Sequence, residues 1–328
     1  MTTRRHGVSV AGLVIGAFVL GGCVGDDPDA ASSAQGTTTP GEVSVPDATP
    51  SGLQDSDAAL TVPPDELGLP PMPQVDSYPQ RPAFPADPDD PEPIESTGAD
   101  LTQVISPDDP SAFTCLLPAT RATVEMLDVD GEAYEPVAEV WRFDAVFADG
   151  TQIEIRVDPA VGSADDVRRE VDRHVGPLGR LPTMLRRDIG MLTIRPGDRS
   201  AAASQGEGIT VQTGNVDIRT ADDQYDETLF HEAVHTSLDP RFAFQRSDVW
   251  LEAQRADGRF LTTYGRENPD TEDLAESFLY AFGALHHPDR VSVDVVIGRI
   301  PNRVTFVEEL LPPDEPIMVS IGPTSSCD

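Results

Sequence analysis

Lysine is missing from this chain of 328 residues: all 23 basic side chains are arginine, set against 57 acidic ones, for a formal net charge of −34. The missing lysine reads as a GC-rich coding bias rather than a physical requirement. The shortage of positive charge excludes nucleic-acid binding as a leading function, because such binding depends on Lys and Arg at phosphates. The acidic balance favours solubility and repels anionic surfaces. Long apolar runs are also scarce. The one that stands out, Val8 to Leu20, is too short for an ordinary membrane-spanning helix. There is no internal repeat. Histidine is rare, at six residues, and cysteine rarer still, at three.

What is present is unevenly spread. Of 31 prolines, 17 lie between Val24 and Ala112, with 18 Asp or Glu and a single basic residue, Arg81. Such a composition buries too little surface to offset chain entropy. Residues 23–112 are therefore expected to form a solvated, extended acidic tether. Residues 1–22, with Arg4 and Arg5 ahead of the apolar run, are expected to be an export signal. Its end, Leu20-Gly21-Gly22-Cys23, resembles the lipobox of bacterial lipoproteins. That resemblance implies a lipid on Cys23 and anchorage to the outer face of the bacterial cell membrane, or to an outer membrane. A folded domain is then expected over residues 113–328. Cys115 and Cys327 stand at its two ends, and export to an oxidising compartment predicts a disulfide between them.

Local patterns within that domain predict an α+β fold: a small mixed sheet with helices, then an active-site helix, then a helical C-terminal part. Ala138 to Phe147 and Thr151 to Val157 alternate apolar and polar residues around Asp149-Gly150, a hairpin signal. Ser163 reads as the N-cap of a helix to about Val175, ended by Gly176-Pro177. A short helix follows at Pro182 to Arg187. Gly190 to Arg195 and Gly208 to Thr213 read as strands around a loop, Pro196 to Gly206. Helices are expected from about Asp222 to Leu238, closed by Asp239-Pro240, from Ser247 to Gly258, and from Thr271 to Leu285. Asp289 to Leu311 reads as one more helix or as a strand and a helix.

The chemistry concentrates in His231-Glu232-Ala233-Val234-His235. On a helix, positions i and i+4 share a face. Two imidazoles one turn apart can then bind one zinc ion, with Glu232 beside them to take a proton from water. A catalytic zinc needs a third protein ligand. Glu272 and Glu276 stand one turn apart downstream, so one can bind the metal while the other holds a ligating imidazole through its second nitrogen. The residue types leave open which does which. Asp239 is a weaker candidate for orienting an imidazole. His174, His286 and His287 are expected at the surface.

The stretch from Tyr264-Gly265-Arg266 to Glu272-Asp273-Leu274-Ala275-Glu276-Ser277-Phe278, placed after His-Glu-x-x-His, resembles the catalytic half of anthrax-toxin lethal-factor-like zinc peptidases, which are gluzincins. The likeness spans about Thr228 to Leu285. It implies a zincin-like fold and one Zn2+ on His231, His235 and Glu272. It also implies Glu232 as general base, Tyr264 facing the substrate carbonyl, and a peptide or protein substrate. Tyr264 stands one residue further from Glu272 than in that family's pattern. In zinc peptidases of this kind, the strand before the active-site helix often pairs with the substrate backbone as a sheet edge; Gly208 to Thr213 is the candidate here. A monomer is expected. The competing readings are a lipoprotein that keeps the metal but serves as a binding or scaffolding module, and a surface lipoprotein with no metal.

Overall fold

Alternating apolar and polar residues drive the first half of the folded chain into strands. A computed structural model describes residues 84–127, 134–204, 208–242 and 248–327. The expected export signal and Cys23 lie outside the described residues. One helical turn, Thr97–Asp100 (α1), precedes four strands: Phe113–Leu116 (β1), Thr120–Leu127 (β2), Tyr134–Phe147 (β3) and Gln152–Val157 (β4). β1 and β2 both pair antiparallel with β3, and β3 pairs antiparallel with β4 through the Asp149-Gly150 turn. Gly150 has φ +91°, which suits glycine. In β4, Ile153, Ile155 and Val157 are fully buried while Gln152 is exposed, the alternation the sequence predicts.

Ala164–Arg180 (α2) and Thr183–Arg186 (α3) cross over to Met191–Arg195 (β5), which lies parallel to β4. Ser163 and Asp166 form a reciprocal capping box at the start of α2. The expected stop at Gly176-Pro177 does not occur, since α2 runs through Pro177 to Arg180. Pro177 removes one helical hydrogen bond. Buried Leu178 and the two-pronged Arg180–Asp226 pair, at 2.7 and 3.1 Å, hold the last turn in place. His174 on this helix is not at the surface: it is fully buried, with Nδ1 on the Tyr225 hydroxyl.

Ala202–Ser204 (β6) falls where a loop was expected, and Gly208–Gln212 (β7) follows. β7 is parallel to β5 and antiparallel to β6, completing a seven-stranded mixed sheet in the order β1-β3-β4-β5-β7-β6, with β2 also on β3. The expected edge position is therefore not that of Gly208–Thr213: β7 has neighbours on both sides, and β6 ends the described sheet. Thr213–Ala221 (α4) is an unexpected helix, and the motif helix Tyr225–Phe242 (α5) starts later and runs past Pro240. Asp248–Asp257 (α6), Thr263–Glu267 (α7), Asp273–His286 (α8), Val293–Arg299 (α9) and Pro301–Leu310 (α10) form the helical part. Ile300-Pro301 divides the stretch that the pattern left undecided. The fold is thus α+β with a mixed sheet. Among the described residues, no helix is long and apolar enough to cross a membrane.

Cys115 and Cys327 are disulfide-bonded across 212 residues. A loop that long contributes about 5 kcal/mol in the chain-entropy model.

The folded part begins earlier than Phe113. Val104, Ile105 and Ala112 belong to the core, and Ala112 O accepts the Ala148 amide at 2.7 Å. The Ile105 amide donates to Glu227 Oε1 at 3.1 Å, at the start of α5. Glu227 is only 1% exposed, and burial pushes its carboxyl up to about 7 against these backbone donors. A carboxyl raised from 4.5 in this way favours the protonated fold. Its stabilising contribution is full below pH 4.5, is lost as pH rises toward 7, and changes no further above that. Glu227→Gln keeps an acceptor for Ile105 without the charge. It is expected to be more stable than the wild type by roughly 2–3 kcal/mol at pH 8, with little difference at pH 4, in paired urea-unfolding curves.

Candidate metal centre

α5 is buried nearly all round. Leu229, Phe230, Ala233, Val234 and Leu238 are core, Ser237 Oγ bonds Leu185 O at 2.6 Å, and Thr236 is fully buried. Its open stripe is narrow: Thr228, Glu232 and His235 are half-buried at spacings of four and three. His231 lies at the border of that stripe, 9% exposed. The helix is therefore fixed by packing on most sides and presents the motif on the remaining one.

α8 packs against α5 and is buried from Asp273 to Ala284. Glu272 is its N-cap residue, yet its side chain makes no capping bond. The carboxylate turns instead to the histidines. Glu272 Oε2 lies 3.3 Å from His231 Nε2 and 3.2 Å from His235 Nε2, and the two Nε2 atoms are 3.1 Å apart. The three atoms form a nearly equilateral triangle. Bonds of about 2.0–2.1 Å to a tetrahedral zinc place neighbouring ligand atoms about 3.3–3.4 Å apart. The triangle fits that requirement, and this is the one group among the described residues whose His, Cys, Asp or Glu atoms converge closely enough for a metal.

The outer face of His231 fits too. Its Nδ1 is buried without a hydrogen-bond partner and faces Glu276 Oε1 at 3.5 Å. A metal on Nε2 leaves the ring proton on Nδ1, where this carboxylate can take it with a shift of a few tenths of an ångström. Burial raises the Glu272 carboxyl, but the hydrogen bonds to His231 and His235 outweigh it and bring it down to about 2. Burial pulls the His231 imidazole down, and Glu272, Glu276 and Glu232 more than reverse that.

Tyr264 comes from α7, whose N-cap Thr262 accepts the Gly265 amide at 2.9 Å. A Cβ on Gly265 would stand 2.9 Å from Thr262 Oγ1 and 3.4 Å from Asp273 Cα, so glycine lets α7 lie close against the start of α8. Tyr264 is 37% exposed. Burial, then the Glu272, Glu276 and Glu232 carboxylates, raise its hydroxyl far above the ordinary range, so it remains an O–H donor. Glu232 lies within electrostatic reach of both His231 and Tyr264. The structure thus brings together His231, Glu232, His235, Tyr264, Glu272 and Glu276. The side chain of Asp239 lies outside the described residues.

Two groups of contributing residues went unread in the sequence. Ser96 Oγ donates to Glu276 Oε1 at 3.0 Å, and the Thr97 amide donates to Glu276 Oε2 at 2.8 Å. The signal that could have found them is apolar: Ile94, Leu101, Val104 and Ile105 emerge from the proline-rich stretch at near-helical spacing. The second group is Asp273 with its partners Gln254, Ser277 and Arg303, which fix the turn that carries Glu272. His286 and His287 lie half-buried at the far end of α8 and take no part. Compared with protein-family profiles, with curated proteins and with solved structures, the chain matches none.

Proposed function

We propose that the chain is a zinc metallopeptidase of the gluzincin type on a zincin-like fold, exported and held at the membrane through a lipid on Cys23. The observation that carries the reading is the convergence of His231 Nε2, His235 Nε2 and Glu272 Oε2 at 3.1–3.3 Å beside a half-buried Glu232. Bound zinc would supply Lewis acidity, lowering the pKa of water and polarising a peptide carbonyl. Glu232 sits on the open stripe of α5, positioned to accept the proton of the attacking water and deliver it to the leaving amine. The Tyr264 hydroxyl donates to the developing oxyanion. Glu276 holds the His231 ring. β6 ends the described sheet beside α5 and runs antiparallel to β7, which gives an extended peptide a backbone to pair with.

The purified full chain is expected to hold one equivalent of zinc and to cut an unbiased peptide library, with cleavage stopped by a chelator. Glu272→Ala is expected to weaken zinc by more than the roughly 10–100-fold that follows loss of an outer-shell partner. Zinc below about a tenth of an equivalent in the gently prepared wild type ends the metal reading. Full zinc without any cleavage leaves a metal-binding surface module.

A further inference from the structure

Residues 90–97 run as a strap along the two elements that complete the site. Asp90 pairs with Arg299 at 2.8 Å and Arg259 at 3.2 Å, and Glu92 pairs with Arg266 at 3.0 Å. Ile94 bridges Thr262, its carbonyl taking the Thr263 amide at 3.1 Å, and the Glu95 carbonyl takes the Tyr264 amide at 2.9 Å. The strap then turns into α1. Asp100 Oδ2 accepts the Glu95 and Ser96 amides at 2.7 and 3.1 Å. That turn aims two donors, the Ser96 hydroxyl and the Thr97 amide, at the two oxygens of Glu276. Thr97 is fully buried and Glu276 is 1% exposed, so water cannot stand in for the Thr97 amide, and Ser96 is half-buried beside it.

We propose that Ser96 and Thr97 are positioning residues of the metal centre, fixing the Glu276 carboxylate so that Oε1 faces His231 Nδ1 and His231 Nε2 faces the metal. The proposal rests on the metal-centre reading. It makes a segment with tether-like composition an integral part of the site, and ties the backbone of Tyr264 to the same strap. A buried carboxylate with one donor on each oxygen has a single rotational setting. Without the strap it would lack its partners and could turn away from the ring.

Thr97→Pro tests this with little disturbance to the backbone. Thr97 is the first residue of α1, where proline is well tolerated, and Ser96 before it is extended at φ −155° and ψ 145°. The change removes the amide donor. Zinc affinity of the full chain would be measured by chelator competition for wild type, Thr97→Pro, Ser96→Ala and Ser96→Thr, with thermal unfolding of each metal-free form. Thr97→Pro and Ser96→Ala are each expected to weaken zinc about tenfold, with Ser96→Thr restoring it. In a Glu276→Ala background the same changes are expected to have no further effect. Zinc affinity within about twofold of wild type in both variants would overturn the proposal, as would an equal loss in the Glu276→Ala background. If Thr97→Pro fails to fold, Ser96→Ala alone decides. A wild type that binds no zinc ends the metal-centre reading and the strap's role with it, an outcome visible before any variant is measured.

Discussion

Glu232→Gln is expected to retain a full equivalent of zinc and lose peptide hydrolysis by about 10²–10⁴-fold in kcat, the usual contribution of a positioned general base. Glu232 is not one of the three converging residues, and glutamine matches glutamate in size, so α5 and its buried face should be unaffected. What disappears is a group able to take a proton. Glu232 is half-buried on the open stripe of α5, whose other described positions are mostly enclosed by the core, with His231 and Tyr264 within its electrostatic reach. Zinc content and single-turnover cleavage of a peptide found by library digest separate the outcomes. Lost zinc would mean that Glu232 helps to hold the metal. Unchanged cleavage would move the base elsewhere. Absence of cleavage in both proteins would leave the binding module.

Much of the site was legible because its parts are local. His231 and His235 need only a helix to share a face, and apolar residues at Leu229, Phe230, Ala233, Val234 and Leu238 make that helix. Asp149-Gly150 and the alternation around it mark the hairpin locally, although Thr183 and Arg186 also hold the Asp149 side chain. Two cysteines at the ends of the folded domain, with Cys23 read as the lipidation site, left one pairing. What escaped depends on partners far along the chain. β6 is written in small residues, Ala202-Ala203-Ser204, whose strand character comes from pairing with β7. Pro177 and Pro240 signal helix ends, yet α2 and α5 continue through them. For α2 the buried Leu178 and the Arg180–Asp226 pair lie beyond Pro177 and outweigh the local cost. The strap from Asp90 to Thr97 has the composition of a solvated tether, and its order rests on arginines at 259, 266 and 299. The same limit hides the anchor of Glu272, which is an arginine some thirty residues downstream.

That arginine carries the largest expected effect on stability. Arg303 is fully buried on α10 and serves two carboxylates that are themselves buried. Its Nε donates to Asp257 Oδ2 at 2.9 Å, its Nη1 donates to Asp273 Oδ1, and its Nη2 donates to the Arg259 carbonyl. Asp273 also accepts from Gln254 Nε2 at 2.7 Å and Ser277 Oγ at 3.1 Å, so the first turn of α8 is held from α6, α8 and α10 together. Arg303→Met fills similar space but leaves two buried carboxylates facing each other without a cation. Breaking a buried pair from one side costs about 3–5 kcal/mol, because the stranded charge has no water to return to. Arg303→Lys is expected to recover little of this, since an ammonium cannot span two carboxylates and a carbonyl as the planar fork does. Adding Asp273→Asn to Arg303→Met should restore part of the loss by removing one stranded charge. Urea unfolding of the metal-free chain measures all four proteins. Asp273 is the residue after Glu272, so zinc affinity should fall with Arg303→Met even where the protein remains folded. A variant that unfolds like the wild type would show that water reaches Asp257 and Asp273, and that α8 keeps Glu272 in place without the arginine.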